Sequence, residues 1–88
     1  MASFSISFKP SVDKDLRRLP KDIVSRVMEK IEGLKSEPFP SQAVKIPVAD
    51  RLYRLRVGDY RIIYEAEVKK NMITIHYVRH RSVVYRDL

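Results

Sequence analysis

Polar and apolar residues alternate in Ser3-Phe4-Ser5-Ile6-Ser7-Phe8, which predicts a half-buried strand with Phe4, Ile6 and Phe8 on one face. Pro10 ends that pattern. Ser11 is then the expected N-cap of a short helix, Asp13 and Asp15 suit the positive end of its dipole, and Val12, Leu16 and Leu19 follow at helical spacing. Pro20 breaks this helix and is tolerated in the first turn of the next. In that second helix Ile23, Val27, Ile31 and Leu34 form an apolar stripe widened by Val24 and Met28, while Lys21, Asp22, Arg26, Lys30 and Glu32 fall mostly elsewhere.

Pro38, Pro40 and Pro47 interrupt any period between Ser36 and Asp50, so this stretch reads as a connection with room for a short extended piece. Alternation returns at Leu52–Val57, with Tyr53, Leu55 and Val57 on one face and Leu52, Arg54 and Arg56 on the other. Gly58-Asp59 predicts a tight turn into a second strand, Tyr60 to Val68, with Tyr60, Ile62, Tyr64, Ala66 and Val68 on one face and Arg61 on the other. Lys69-Lys70-Asn71 predicts the next turn, and the β-branched and aromatic run from Met72 to Val78 a third strand. The fold class is α+β in the order βααβββ: a helix hairpin packed on one face of a small, mainly antiparallel sheet.

Eighty-eight residues form a single domain, 1–88, large enough to bury roughly 60 to 65% of the unfolded chain's surface in one core. The absence of cysteine excludes a disulfide scaffold, a thiol nucleophile and any Cys-containing metal site. MASFSISFKP lacks the charged start and continuous apolar run of a signal peptide, and no stretch approaches a bilayer span, so the expected location is cytoplasmic, with no membrane partner. The net charge of +7 is unevenly placed. Residues 1–44 carry eight basic and six acidic side chains, and residues 45–88 ten and five, seven of those ten being arginine. The planar donor fork of arginine matches phosphate, so the second half points toward a nucleic-acid backbone.

Strand geometry gathers these arginines. Arg54 and Arg56 share a face, and the tight turn returns Arg61 beside them, on the side away from the helices. Exposed strands often carry basic residues against aggregation. Three like charges on adjacent strands nevertheless repel, and an anionic ligand accounts for them better. At the C-terminal end, Tyr77-Val78-Arg79-His80-Arg81 and Val83-Val84-Tyr85 place two arginines, a histidine and two tyrosines within a few residues, types suited to phosphodiester chemistry. His76 reads as a structural residue.

The run Tyr53-Arg54-Leu55-Arg56-Val57-Gly58-Asp59-Tyr60-Arg61-Ile62-Ile63-Tyr64, followed by His80-Arg81 and Val84-Tyr85, resembles the RelE branch of the RelE/ParE toxin superfamily. The resemblance spans essentially the whole chain. It implies the toxin of a type II toxin–antitoxin system, an endoribonuclease that cuts mRNA in the ribosomal A site, inhibits translation, and is neutralised in an oligomer with a cognate antitoxin. By position, it also implies that Arg61 and Arg81 bind phosphate and that Tyr85 is the catalytic tyrosine. Arg54 and Arg56 fall where family members carry lysine.

That departure matters, because arginine cannot lose its proton and cannot act as a general base. Tyr85 or His80 remains to accept the 2′-hydroxyl proton, with attack on the adjacent phosphate giving a 2′,3′-cyclic phosphate. The expected catalytic set is Arg61, Arg81, Tyr85 and His80, and the expected RNA-binding set is Arg54, Arg56, Arg79 and Lys45. No metal or other cofactor is expected. The alternatives are a ParE-like inhibitor of DNA gyrase and a module that binds nucleic acid or the ribosome without chemistry.

Overall fold

The computed structural model describes residues 3–47 and 49–84. In it the chain runs β1 (Ser5–Phe8), α1 (Pro10–Arg17), α2 (Lys21–Gly33), β2 (Val44–Lys45), β3 (Leu52–Val57), β4 (Tyr60–Glu67), a 3-10 turn (Val68–Lys70) and β5 (Met72–His80). The sheet order is β1-β5-β4-β3-β2. β3, β4 and β5 form the predicted antiparallel meander, β2 is the short extended piece in the proline-rich connection, and β1 pairs parallel with β5.

Helix starts follow the prolines. α1 begins at Pro10 with Lys9 as N-cap and no side-chain cap, so Ser11 lies inside the helix and not at its cap. The fixed φ and missing N–H of Pro10 suit the first helical position. Pro20 caps α2, where its carbonyl accepts the Val24 N–H at 3.0 Å.

The main core lies between the helices and one sheet face. Val12, Val27, Ile31 and Leu34 meet Leu55, Val57, Ile62, Tyr64, Ala66, Ile73, Ile75 and Val78 there. Each such large side chain contributes about 1.5–3 kcal/mol when removed from water. Phe4 and Ile6 pack against this core, but Phe8 at the end of β1 is 44% exposed. Val68 also leaves the predicted face: β4 ends at Glu67, and Val68 enters the 3-10 turn, where it is exposed.

The opposite face is not open throughout. Ile46, Ile63 and Val84 form a second buried cluster with Ala49, Leu52 and Tyr77, because the segment before β3 and the turn after β5 fold back across the middle of the sheet. The register shifts at Ile63/Tyr64, so Ile63 pairs with Tyr77 and Tyr64 with Ile75. His76 lies at this irregularity with its Nε2 3.1 Å from Glu65 Oε1, which fits its structural reading.

The proline-rich connection is held by aromatics. The Tyr64 hydroxyl donates to the Pro38 carbonyl at 2.7 Å, and rings of Phe39, Tyr53 and Tyr64 follow one another at 5.0 and 5.7 Å. Burial pushes the Tyr64 hydroxyl well above the usual phenol range, with neighbouring Tyr53 adding to the effect.

Candidate nucleic-acid interface

The β3–β4 register sets Arg56 directly opposite Arg61, and the β4–β5 register sets Arg61 directly opposite Arg79. Directly paired residues share a sheet face, so the three arginines form a row across three strands. Arg54 lies one same-face step further in, opposite Ile63. Arg54 and Arg56 are exposed, and Arg61 is half-buried.

The hairpin turn holds two of these cations. Gly58 adopts a left-handed φ of 59°, which L side chains rarely take, and its carbonyl accepts both Arg56 Nε and Arg61 Nη1 at 3.1 Å. Arg61 Nη1 also donates to the Tyr60 carbonyl at 3.0 Å. Neutral carbonyl oxygens thus orient the guanidinium groups without neutralising them, which leaves their charge for an anion.

Arg81 joins the same turn. Its backbone N–H donates to the Asp59 carbonyl at 2.8 Å, and its Nε is 3.9 Å from Asp59 Oδ1, a solvent-screened contact. Arg26 of α2 approaches from the other side: its Nη1 is 3.8 Å from where a Cβ on Gly58 would sit. Arg26 read in the sequence as an ordinary member of a polar helix face, and no spacing tied it to the hairpin.

Arg79 is anchored by Asp15, a buried carboxylate on α1. Arg79 Nε donates to Asp15 Oδ1 and Oδ2 at 3.2 and 3.3 Å, and the Val78 N–H donates to Oδ2 at 3.1 Å. β1 pairs β5 only through Ile75, so Asp15 supplies an acceptor to β5 where that partner strand has run out. The Arg79 guanidinium also lies 4.4 Å from the Tyr77 ring centre, a cation–π arrangement. In the sequence Asp15 read only as a helix-dipole residue.

His80 belongs to the other side of the sheet. It pairs with Tyr60, whose ring meets the imidazole edge-on at 5.5 Å, and it lines a pocket with Leu19 and Val78 beneath the helix hairpin. Ser82 presents its hydroxyl at 2.8 Å and its backbone N–H at 3.2 Å to Nδ1. A backbone N–H only donates, so Nδ1 carries the lone pair and the neutral ring holds its proton on Nε2. Lys45 lies on edge strand β2 opposite Tyr53, away from the hairpin tip. Tyr85 lies outside the described residues.

A cross-strand arginine row, exposed at Arg56 and half-buried at Arg61 and Arg79, lies with two further arginines at one turn and a helix hairpin behind the sheet, and concentrates positive charge at one end of this small basic protein. The chain belongs to the family described as the ParE toxin of type II toxin–antitoxin systems, whose profile matches residues 6–85. It is 29% identical over 87 residues to the protein named toxin RelE1 of Methanocaldococcus jannaschii, covering 96% of this chain and 97% of that one. Its fold matches the archaeal RelE–RelB complex of Pyrococcus horikoshii with a TM-score of 0.80 and 32% identity, covering 90% of this chain and 96% of that one. The RelB–RelE antitoxin–toxin complex of Methanococcus jannaschii matches with a TM-score of 0.77 and 28% identity, covering 93% and 98%. Among the described residues no helix is long and apolar enough to cross a membrane.

Proposed function

We propose that this toxin is a ribosome-dependent mRNA endoribonuclease, neutralised by a cognate antitoxin protein as in the RelE–RelB pairs it resembles. The observation that carries the reading is the cross-strand row Arg56–Arg61–Arg79, with Arg81 at its end. The row runs across the strands, and arginines held apart by strand spacing can engage successive phosphates of one RNA strand.

In this reading the 2′-hydroxyl of one nucleotide attacks the adjacent phosphorus and loses its proton to a base. The bond to the 5′-oxygen of the next nucleotide breaks, that oxygen takes up a proton, and the products are a 2′,3′-cyclic phosphate and a 5′-hydroxyl. Arg61 and Arg81 stabilise charge that develops on the phosphate oxygens, since preorganised donors cost no reorganisation at that moment. Tyr85 is the group we assign to proton transfer. His80 is given no base role, because it lies on the opposite face and its Nδ1 lone pair is already occupied.

Primer extension on an mRNA in a translating extract tests this directly: new 3′ ends inside codons are expected only when the toxin is added. The matching family profile favours a second reading, inhibition of DNA gyrase by binding. Intact mRNA together with blocked supercoiling by purified gyrase would select that reading instead.

A further inference from the structure

β1 is an edge strand of the sheet, and its outer side is unguarded. The Ser5 and Lys9 N–H groups donate to Asn71 and Ile75, so along the parallel ladder Ser5 and Ser7 turn their backbone groups toward β5 while Ile6 and Phe8 turn theirs outward. The Lys35 carbonyl at the end of α2 takes the Phe4 N–H at 2.8 Å. Among the described residues nothing takes those of Ile6 and Phe8. Natural edges are commonly guarded by charge, proline or a bulge, and Ser5–Phe8 contains none of these. The opposite edge, β2, is only two residues long and carries Lys45. Beside the β1 edge, Phe8 and Met28 are 44% and 39% exposed and border an open hollow of about 440 Å³ that Ile6, Ile31, Glu32 and Lys35 also line.

We propose that this edge pairs antiparallel with the same edge of a second copy of the chain, in a two-fold dimer. The register follows from the strand itself. Pro10 has no N–H, and Phe4 has already donated its own to Lys35, so the ladder spans Ile6 to Phe8 and centres on Ser7. Ile6 of each copy then exchanges both backbone bonds with Phe8 of the other, while Ser7 faces Ser7 across the axis, two small uncharged side chains at the closest spacing. Directly paired residues share a face, so each Phe8 ring is brought over Ile6 of the other copy and into the hollow beside Met28 and Ile31. The charges cross in the same sense. Lys9 and Asp13, near Phe8, approach Glu32 and Lys35, near Phe4 of the other copy, so Lys9 meets Glu32 and Asp13 meets Lys35. A two-fold interface must be complementary to itself, and this order of charges is; a foreign strand need not match it, which favours a second copy as the occupant. Because Ser7 faces Ser7, the axis passes through the sheet. Both arginine rows then lie on one face of the joined sheet, at opposite ends, and stay open.

Sedimentation of the purified full chain from about 1 to 200 μM tests the pairing and should show a reversible monomer–dimer equilibrium. Phe8→Lys and Met28→Lys, both at exposed positions, should each weaken the dimer by about tenfold or more and leave thermal unfolding of the monomer unchanged. Lys9→Glu should also weaken it, and adding Glu32→Lys should restore it, a rescue that a general loss of folding would not give. Amide exchange at Ile6 and Phe8 should slow as the concentration rises. A monomer throughout this range, a dimer indifferent to Phe8→Lys, or a charge reversal that the second substitution does not restore would overturn the proposal. A monomeric toxin whose Phe8→Lys variant loses its antitoxin would overturn it too, and would give the edge to the antitoxin.

Discussion

Asp15 and Arg79 stand 64 residues apart in the chain and are joined by two contacts from the Arg79 Nε to the two oxygens of the Asp15 carboxylate, which is only 5% exposed. The same carboxylate takes the Val78 N–H, so one α1 side chain fixes both the backbone of β5 and the first arginine beyond its partner strand. Asp15→Ala strands a buried N–H and releases Arg79. It should lower stability by about 2–3 kcal/mol in urea unfolding. Asp15→Asn retains an acceptor for one of the two donors and should lose about half as much.

The β3–β4 turn depends on Gly58. Its φ of 59° is costly for a residue with a Cβ, although a Cβ there would meet only Arg26 Nη1 at 3.8 Å, an ordinary contact. Gly58→Ala should therefore cost about 1 kcal/mol through backbone conformation and not through a clash. Asn tolerates the left-handed region better, and Gly58→Asn should recover part of that loss. Thermal unfolding of the two variants side by side separates conformational cost from steric cost, because the larger Asn would be the worse variant if space were limiting.

Much of this hairpin is legible in the sequence, since Leu52–Val57 and Gly58-Asp59 combine strict alternation with a turn pair: β3 has the expected bounds, and β4 starts at Tyr60 as expected but stops one residue short, at Glu67. Local patterns fail where the partner is distant. Nothing in Ser3–Phe8 shows that it pairs parallel with β5, near the other end of the chain. Nor does spacing within α1 show that Asp15 faces β5 while Asp13 stays on the surface. The arginine face is likewise readable from alternation within the hairpin, but the approach of Arg26 and the separation of His80 from that face depend on how α2 packs and how β5 pairs with β4.

Alkaline stability should report on Tyr64. Its hydroxyl stays protonated in the folded protein beyond the pH at which an unfolded tyrosine ionises, about 10. Between those two points the unfolded state has released a proton that the folded state still holds, so stability is full below pH 10 and falls as pH rises above it. Tyr64→Phe removes the ionisable group. It should cost about 1 kcal/mol at neutral pH through the lost bond to Pro38, and its stability should decline less steeply between pH 10 and 11 in urea titrations.

Electrostatic binding gives a salt signature. If Arg56 and Arg61 contact phosphates, the logarithm of the ribosome or RNA affinity should fall linearly with the logarithm of salt concentration. Removing either one as Ala should reduce that slope by about 0.7–1. Lys45→Ala, on the edge strand away from the hairpin tip, should leave the slope nearly unchanged. Filter binding over a salt series distinguishes these outcomes, and a wild-type affinity indifferent to salt would reject phosphate contact altogether.

Chemistry and binding separate at Arg81, Tyr85 and His80. Arg81 is exposed and, among the described residues, is held by Asp59 of the turn through its backbone N–H and a solvent-screened ion pair, so Arg81→Ala should leave the fold intact. Loss of one preorganised donor should then slow cleavage by about 100-fold or more while binding falls less. Tyr85→Phe keeps the ring and deletes only the hydroxyl. As the proton-transfer group, its loss should slow cleavage by about 100-fold to 10,000-fold with ribosome binding preserved. His80 sits with Tyr60 on the helix side of the sheet, its Nδ1 held by Ser82, so His80→Gln should change the rate little. Single-turnover rates with saturating toxin isolate the cleavage step from association. A large loss in His80→Gln beside a silent Tyr85→Phe would move the base role to His80 and require its ring to turn out of the pocket before reaction.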